Sequence, residues 1–187
     1  MKNSLFSLLI LSTLSLSTQA IAQQINLGSQ NIAIQGRVIQ DNLTCTVQPV
    51  SAIQLENAYT GTFLPRGSLR ATPKKNFSVN FSGCTNQGKS KKVKVVFSKK
   101  DTTYLMNTGS TANDTNVRVA LLDHTGHLIR LGGKDIERTF VSDVVGDTSS
   151  LTFSLAYEPP KQVTDNIKPG NFNASLSFDA FVADDIH

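Results

Sequence analysis

An all-β sandwich is the fold this sequence predicts, and three observations predict it. Short apolar/polar alternations recur along the chain, turn residues separate them, and no stretch keeps a helical period through three capped turns. Many short strands at this spacing pack as two facing sheets. The clearest pattern comes last, in Leu151 to Phe181, which reads as two alternating strands around a Pro-rich turn. In the second of them Phe172, Ala174, Leu176, Phe178 and Ala180 share one face, with Asn173, Ser175, Ser177 and Asp179 on the other. A period of two describes a half-buried strand. A strand so patterned at the end of a chain sits at a sheet edge or beside a neighbour that has to be supplied.

The amino terminus sets the compartment. Lys2 opens it, an apolar run follows from Leu5 to Leu14, and a Ser/Thr stretch ends in Ala20-Ile21-Ala22, the small-x-small form of a secretory cleavage site. Residues 1–22 are therefore expected to be a signal peptide cut before Gln23. The run is well short of the roughly 20 apolar residues of a spanning helix, and no later segment approaches that length, so no integral membrane segment is expected after cleavage. About 165 residues then remain, a size that suits one domain.

Two cysteines, Cys45 and Cys84, stand in a chain bound for an oxidising compartment, so a disulfide between them is the expected assignment. Closing a loop of about 40 residues restricts the unfolded chain by roughly 4 kcal/mol on the chain-entropy model.

Between these landmarks the strands follow in order. Gln30 to Ile39 alternates with Ile32, Ile34 and Val38 on one face. Phe77, Val79 and Phe81 alternate just before Cys84, and Val93, Val95 and Phe97 alternate with Lys92 and Lys94. Val117, Val119 and Leu121 precede a turn at Asp123-His124-Thr125-Gly126, and a further strand-like run covers Leu128 to Leu131. Gly132-Gly133 and Pro159-Pro160 punctuate the remainder.

Taken in this order the residues resemble the structural subunits of chaperone-usher fimbriae of Gram-negative bacteria, of the type 1 pilin kind. The resemblance covers nearly the whole chain after the signal peptide. It rests on Gly36-x-Val38 leading to Thr44-Cys45-x-Val47, on Phe77-x-Val79-x-Phe81-x-x-Cys84, on Val117 to Asp123 followed by Gly126, and on Pro169-Gly170-x-Phe172-x-Ala174. It implies an incomplete immunoglobulin-like Greek-key β-sandwich that lacks its final strand and is completed by a donated one.

The expected partners follow from the resemblance. They are a periplasmic chaperone that fills the groove first, an outer-membrane usher, and other fimbrial subunits joined head to tail, in contacts that do not close and so build a filament. The protein is expected to pass through the periplasm to a fimbrium on the cell surface.

On this reading residues 23–35 form the N-terminal donor-strand extension and residues 36–187 the sandwich domain. The donor face carries Gly28, Gln30, Ile32 and Ile34, and Gly28 lets the donated backbone lie against a shallow part of the groove. The acceptor groove and chaperone-binding face is Phe172, Ala174, Leu176, Phe178 and Ala180. A plainer account keeps Ile32 and Ile34 in the domain's own first strand, with Gln23 to Ser29 as a polar tail. One departure stands out: where the family has a near-terminal Tyr this chain holds Val182, with Phe181 beside it, and runs on through Ala183 to His187.

Other functional classes find little support. Asp123, His124 and His127 share a turn, but a solvated hairpin explains them better than a metal site. Neither a Gly-x-Ser-x-Gly elbow, a phosphate loop nor a His-Glu-x-x-His motif occurs, so neither catalysis nor a cofactor is expected. The net charge is +4, and the lysines from Lys89 to Lys100 alternate with Val93, Val95 and Phe97. That pattern is the solvated face of a strand, suited to a sheet edge, and not a nucleic-acid site. The competing function is a fimbrial adhesin or a secreted carbohydrate-binding β-sandwich. Trp is absent and Tyr occurs three times, so no stacking platform for sugars is evident.

Overall fold

The alternating stretches fold as ten strands among the described residues of the computed structural model, which are 30–40, 45–58, 73–84, 92–160 and 167–183. The strands are β1 Gln30–Gln40, β2 Thr46–Val47, β3 Ile53–Gln54, β4 Lys74–Ser82, β5 Lys92–Phe97, β6 Leu105–Met106, β7 Arg118–Leu122, β8 Thr139–Asp143, β9 Ser149–Glu158 and β10 Phe172–Ala183. The expected signal peptide, the donor segment up to Ser29 with Gly28, and Asp184 to His187 lie outside the described residues. Among the described residues the helical element is one 3-10 turn, Asp135–Arg138.

Two five-stranded sheets form, in the orders β3-β1-β10-β5-β8 and β2-β4-β9-β7-β6. Their inward side chains make one core. Ile32, Ile34, Val93, Val95, Phe97 and the even-numbered face of β10 meet Phe77, Val79, Phe81, Val119, Leu121, Phe153, Leu155 and Tyr157. Phe97 is its hub. Its ring stands edge-on to Phe153 at 4.8 Å and to Phe178 at 6.2 Å, so aromatic packing ties the two sheets together.

The disulfide joins Cys45 to Cys84. Cys45 precedes β2 and Cys84 follows β4, and the two strands pair with Thr46 opposite Ser82 and Val47 opposite Phe81, so the bridge continues their ladder into the buried core. Replacing both cysteines with Ser should lower unfolding stability by about 2–5 kcal/mol in denaturant titrations, and non-reducing peptide mapping of the exported protein should recover the linked pair. Free thiols in the folded protein would contradict this assignment.

Of the two places its pattern allowed, β10 takes the second: it is not an edge but lies between two neighbours, β1 and β5. Other details depart from the sequence reading. β5 is not an edge either, because β8 pairs outside it; Lys92 and Lys94 lie on its outer face, and the Lys94 ammonium stands 4.9 Å from the centre of the Phe181 ring. The stretch Leu128 to Leu131 is not a strand. Leu128 makes a lone bridge to Leu122 and packs, with Tyr104, on a second small cluster of Ala120, Leu122 and Ala156, while Ile129 and Leu131 are buried in the main core.

For the same reason the alternation fails in β9, whose residues from Phe153 to Glu158 are buried on both faces. Glu158 is caught there. Burial pushes its carboxyl above the ordinary glutamate range while Arg118 pulls it back, and the Arg118 guanidinium itself lies 4.0 Å over the Tyr104 ring.

Candidate functional site: the groove beside the last strand

β10 presents Phe172, Ala174, Leu176, Phe178 and Ala180 to the core, all buried, as their period of two requires. Val182, at the position expected to depart from a near-terminal Tyr, continues this face and is buried as well. On one side β5 pairs antiparallel from Phe178 to Ala183. On the other, β1 runs parallel to β10 over eleven positions, from Gln30 opposite Phe172 to Gln40 opposite Val182. The groove is thus filled from within the same chain, by a strand that passes through the expected boundary between Gln35 and Gly36 without a break.

Three inward pairs follow from the register. Ile32 sits opposite Ala174, Ile34 opposite Leu176 and Gly36 opposite Phe178. Ile32 has no exposed surface and Ile34 is buried, so both isoleucines are core residues here. Gln30 enters through its backbone pairing with Phe172. The far edge of β1 is held lightly, with β3 pairing only at Asn31 and Ile32 among the described residues.

The first half of β10, which β5 does not reach, is positioned by a polar loop. Asn107 Nδ2 donates to the carbonyls of Thr115 at 2.9 Å and Asn171 at 2.7 Å, while its Oδ1 accepts from the N–H groups of Gly109 at 3.1 Å and Asn173 at 3.0 Å. Thr108 donates to the Asn173 carbonyl through both its N–H at 2.8 Å and its hydroxyl at 3.0 Å. Nearby, the Thr111 hydroxyl and N–H hold the Asp114 carboxyl below its ordinary range. Sequence reasoning missed Asn107, because in a Thr/Asn/Gly-rich loop it looks like any turn former. Its role depends on partners 64 and 66 residues away.

The histidine turn is a hydrogen-bonded hairpin. One Asp123 oxygen accepts from the Thr125 N–H, the Thr125 hydroxyl and the His127 N–H. Burial opposes ionisation of Asp123, yet these bonds prevail and hold its carboxyl below the ordinary range. Gly126 takes φ +89°, the left-handed region such a turn needs. Among the described residues no group of three or more His, Cys, Asp or Glu is placed to hold a metal. No described helix is long and apolar enough to cross a membrane.

The fold is an immunoglobulin-like two-sheet sandwich whose last strand, β10, pairs along its length with β1. The P pilus rod subunit PapA has the same fold: the two chains are 13% identical, the match covers 74% of this chain and 99% of that one, and the TM-score is 0.55. The fimbrial protein family matches residues 32–180, and the chain belongs to it. It is a fimbrial protein, from a family of structural proteins of the cell-surface pilus.

Weaker likenesses run to an antigen and type I fimbria protein of Burkholderia pseudomallei, at 17% identity, 82% of this chain, 90% of that one and TM-score 0.45. The CupB6 tip adhesin from Pseudomonas aeruginosa gives 12% identity, 84% of this chain, 42% of that one and TM-score 0.43. No curated protein matches the sequence.

Proposed function

We propose that this chain is a structural subunit of a surface fimbria that polymerises head to tail by exchanging its N-terminal strand. The arm Gln23 to Gln35 of one copy leaves its own groove and fills the groove of the next, formed by Phe172, Ala174, Leu176, Phe178 and Ala180. One observation carries this reading: the strand beside β10 is a sequence-distant segment, joined to β10 along its length and, among the described residues, paired at only two positions on its other edge. Such an element can be supplied equally well by a second copy, because the same side chains meet the same groove. Exchange of an identical element between protomers costs little, and a heterologous contact that does not close grows as a filament.

In the same reading residues 1–22 direct export. A periplasmic chaperone lends a strand to the groove before assembly, and an outer-membrane usher receives the complex. An unpaired β10 with Phe172, Leu176 and Phe178 uncovered is an aggregation hazard, which gives a chaperone its purpose.

The test is strand uptake. The mature subunit, unfolded and refolded with a labelled peptide spanning Gln23 to Gln35, should incorporate that peptide stoichiometrically, melt at a higher temperature than without it, and lose the ability to extend polymers. A subunit that refolds to a stable monomer, takes up no peptide and forms no polymer at high concentration overturns the proposal.

A further inference from the structure

We propose that Gly36 decides whether the chain can fill its own groove, by leaving room for the ring of Phe178. Gly36 and Phe178 are partners in the parallel ladder, and Gly36, itself exposed, falls by the strand's period of two on the side of β1 that carries the buried Ile32 and Ile34. A β-carbon built on Gly36 falls within 3.0 Å of three atoms of the Phe178 ring, Cζ, Cε2 and Cε1. Real β-carbons do not approach so closely, so the ring or the strand has to move. The ring has nowhere to go: Phe178 is 2% exposed and stands edge-on to Phe97, which is itself fully enclosed and packed edge-on against Phe140 and Phe153. Close packing of this kind absorbs no added methyl group without loss.

The same contact sets the register. Sliding β1 by two residues brings Ile34 or Val38 opposite Phe178, and each carries a β-carbon into the ring. Sliding it by one residue turns Ile32 and Ile34 out of the core. Only Gly36 opposite Phe178 satisfies both conditions for this strand.

Gly36 lies just beyond the arm expected to be donated, and this inference rests on the donor-strand reading for its consequence. A side chain at position 36 penalises the self-filled state. The penalty falls on any strand that carries residue 36 to Phe178; a strand that ends at Gln35, such as the arm peptide, leaves that place open and escapes it. Gly36 is thus a positioning residue for strand choice, and replacing it favours uptake of such a strand over self-filling.

The experiment compares the mature wild-type subunit with Gly36→Ala, Gly36→Val, Phe178→Ala and the double variant Gly36→Val with Phe178→Ala. Hydrogen exchange of the β10 amides reads the self-filled state directly. Protection at residues 172–182 should fall at least tenfold in Gly36→Val and by less in Gly36→Ala, and the double variant should recover much of it because the smaller side chain frees the space. Uptake of the Gln23 to Gln35 peptide should accelerate in the same order. If Gly36→Val does not fold alone, recovery of a folded, protected β10 in the double variant upholds the steric pairing, whereas a double variant as unprotected as the singles combined overturns it. Unchanged protection in Gly36→Val also overturns it. Lost protection without peptide uptake in any variant upholds the role of Gly36 and counts against the donor-strand reading, so the two are separable.

Discussion

A subunit lacking Gln23 to Ile34 will not fold to a stable monomer, will still be captured by a chaperone strand, and will not extend a fibre. The deletion removes Ile32 and Ile34 from the core, five of the eleven paired positions beside β10, and the cover over Phe172, Ala174 and Leu176. Burying a large aliphatic side chain is worth about 1.5–3 kcal/mol, so the two isoleucines and the uncovered groove together amount to about 5–10 kcal/mol. That equals the whole stability of a typical domain. Electron microscopy of cells expressing only the truncated subunit should show no fibres, and the isolated protein should aggregate or be degraded. Long fibres on such cells would remove the arm from the assembly mechanism. A folded, soluble truncated monomer would show that β10 needs no neighbour.

Replacing Ile32 and Ile34 with Asp keeps the arm and its backbone pairing and changes only what enters the groove. Emptying the Ile32 site alone costs about 2–5 kcal/mol by the usual penalty for truncating a buried aliphatic residue. Burying an unpaired carboxylate adds several kcal/mol more, or forces it to remain protonated. Fibre yield should fall to background, while a chaperone-bound form of the double variant keeps the fold of the remaining sandwich. The carboxyl groups give the effect a sign with pH. Their pKa values in the groove are raised by desolvation, so the filled groove is favoured below the ordinary aspartate range and lost as pH rises through the shifted value. Assembly of the variant should therefore recover in part at acidic pH, measured against an Ile32→Asn and Ile34→Asn control that has no such dependence.

Periodicity exposed much of this architecture. Phe77, Val79 and Phe81, then Val93, Val95 and Phe97, and the inward face of β10 are all buried as their spacing of two requires, because a pleated strand turns alternate side chains to opposite faces. The same rule failed where a strand has no solvated face. Ala120, Leu122 and Ala156 lie on an outer surface that Tyr104 and Leu128 cover, so β7 and the second half of β9 are buried on both sides. Strands of two residues such as β2, β3 and β6 carry too few positions for any period to appear.

What the sequence by itself determined was the local chemistry: an all-β chain with one disulfide, an isoleucine-bearing first strand, a last strand with one apolar face, and the fimbrial motifs that tie these together. Those features depend on neighbours a few residues apart, or on cysteines with no other partner available. What only the tertiary structure decided was adjacency. It set β1 parallel to β10, placed β5 inside a sheet and not at its edge, brought Asn107 to the start of the last strand, and put Phe178 against the one inward residue of β1 without a side chain. Strand neighbours are chosen by how faces fit across the whole core, and that fit is a property of segments far apart in the chain, which no local pattern encodes.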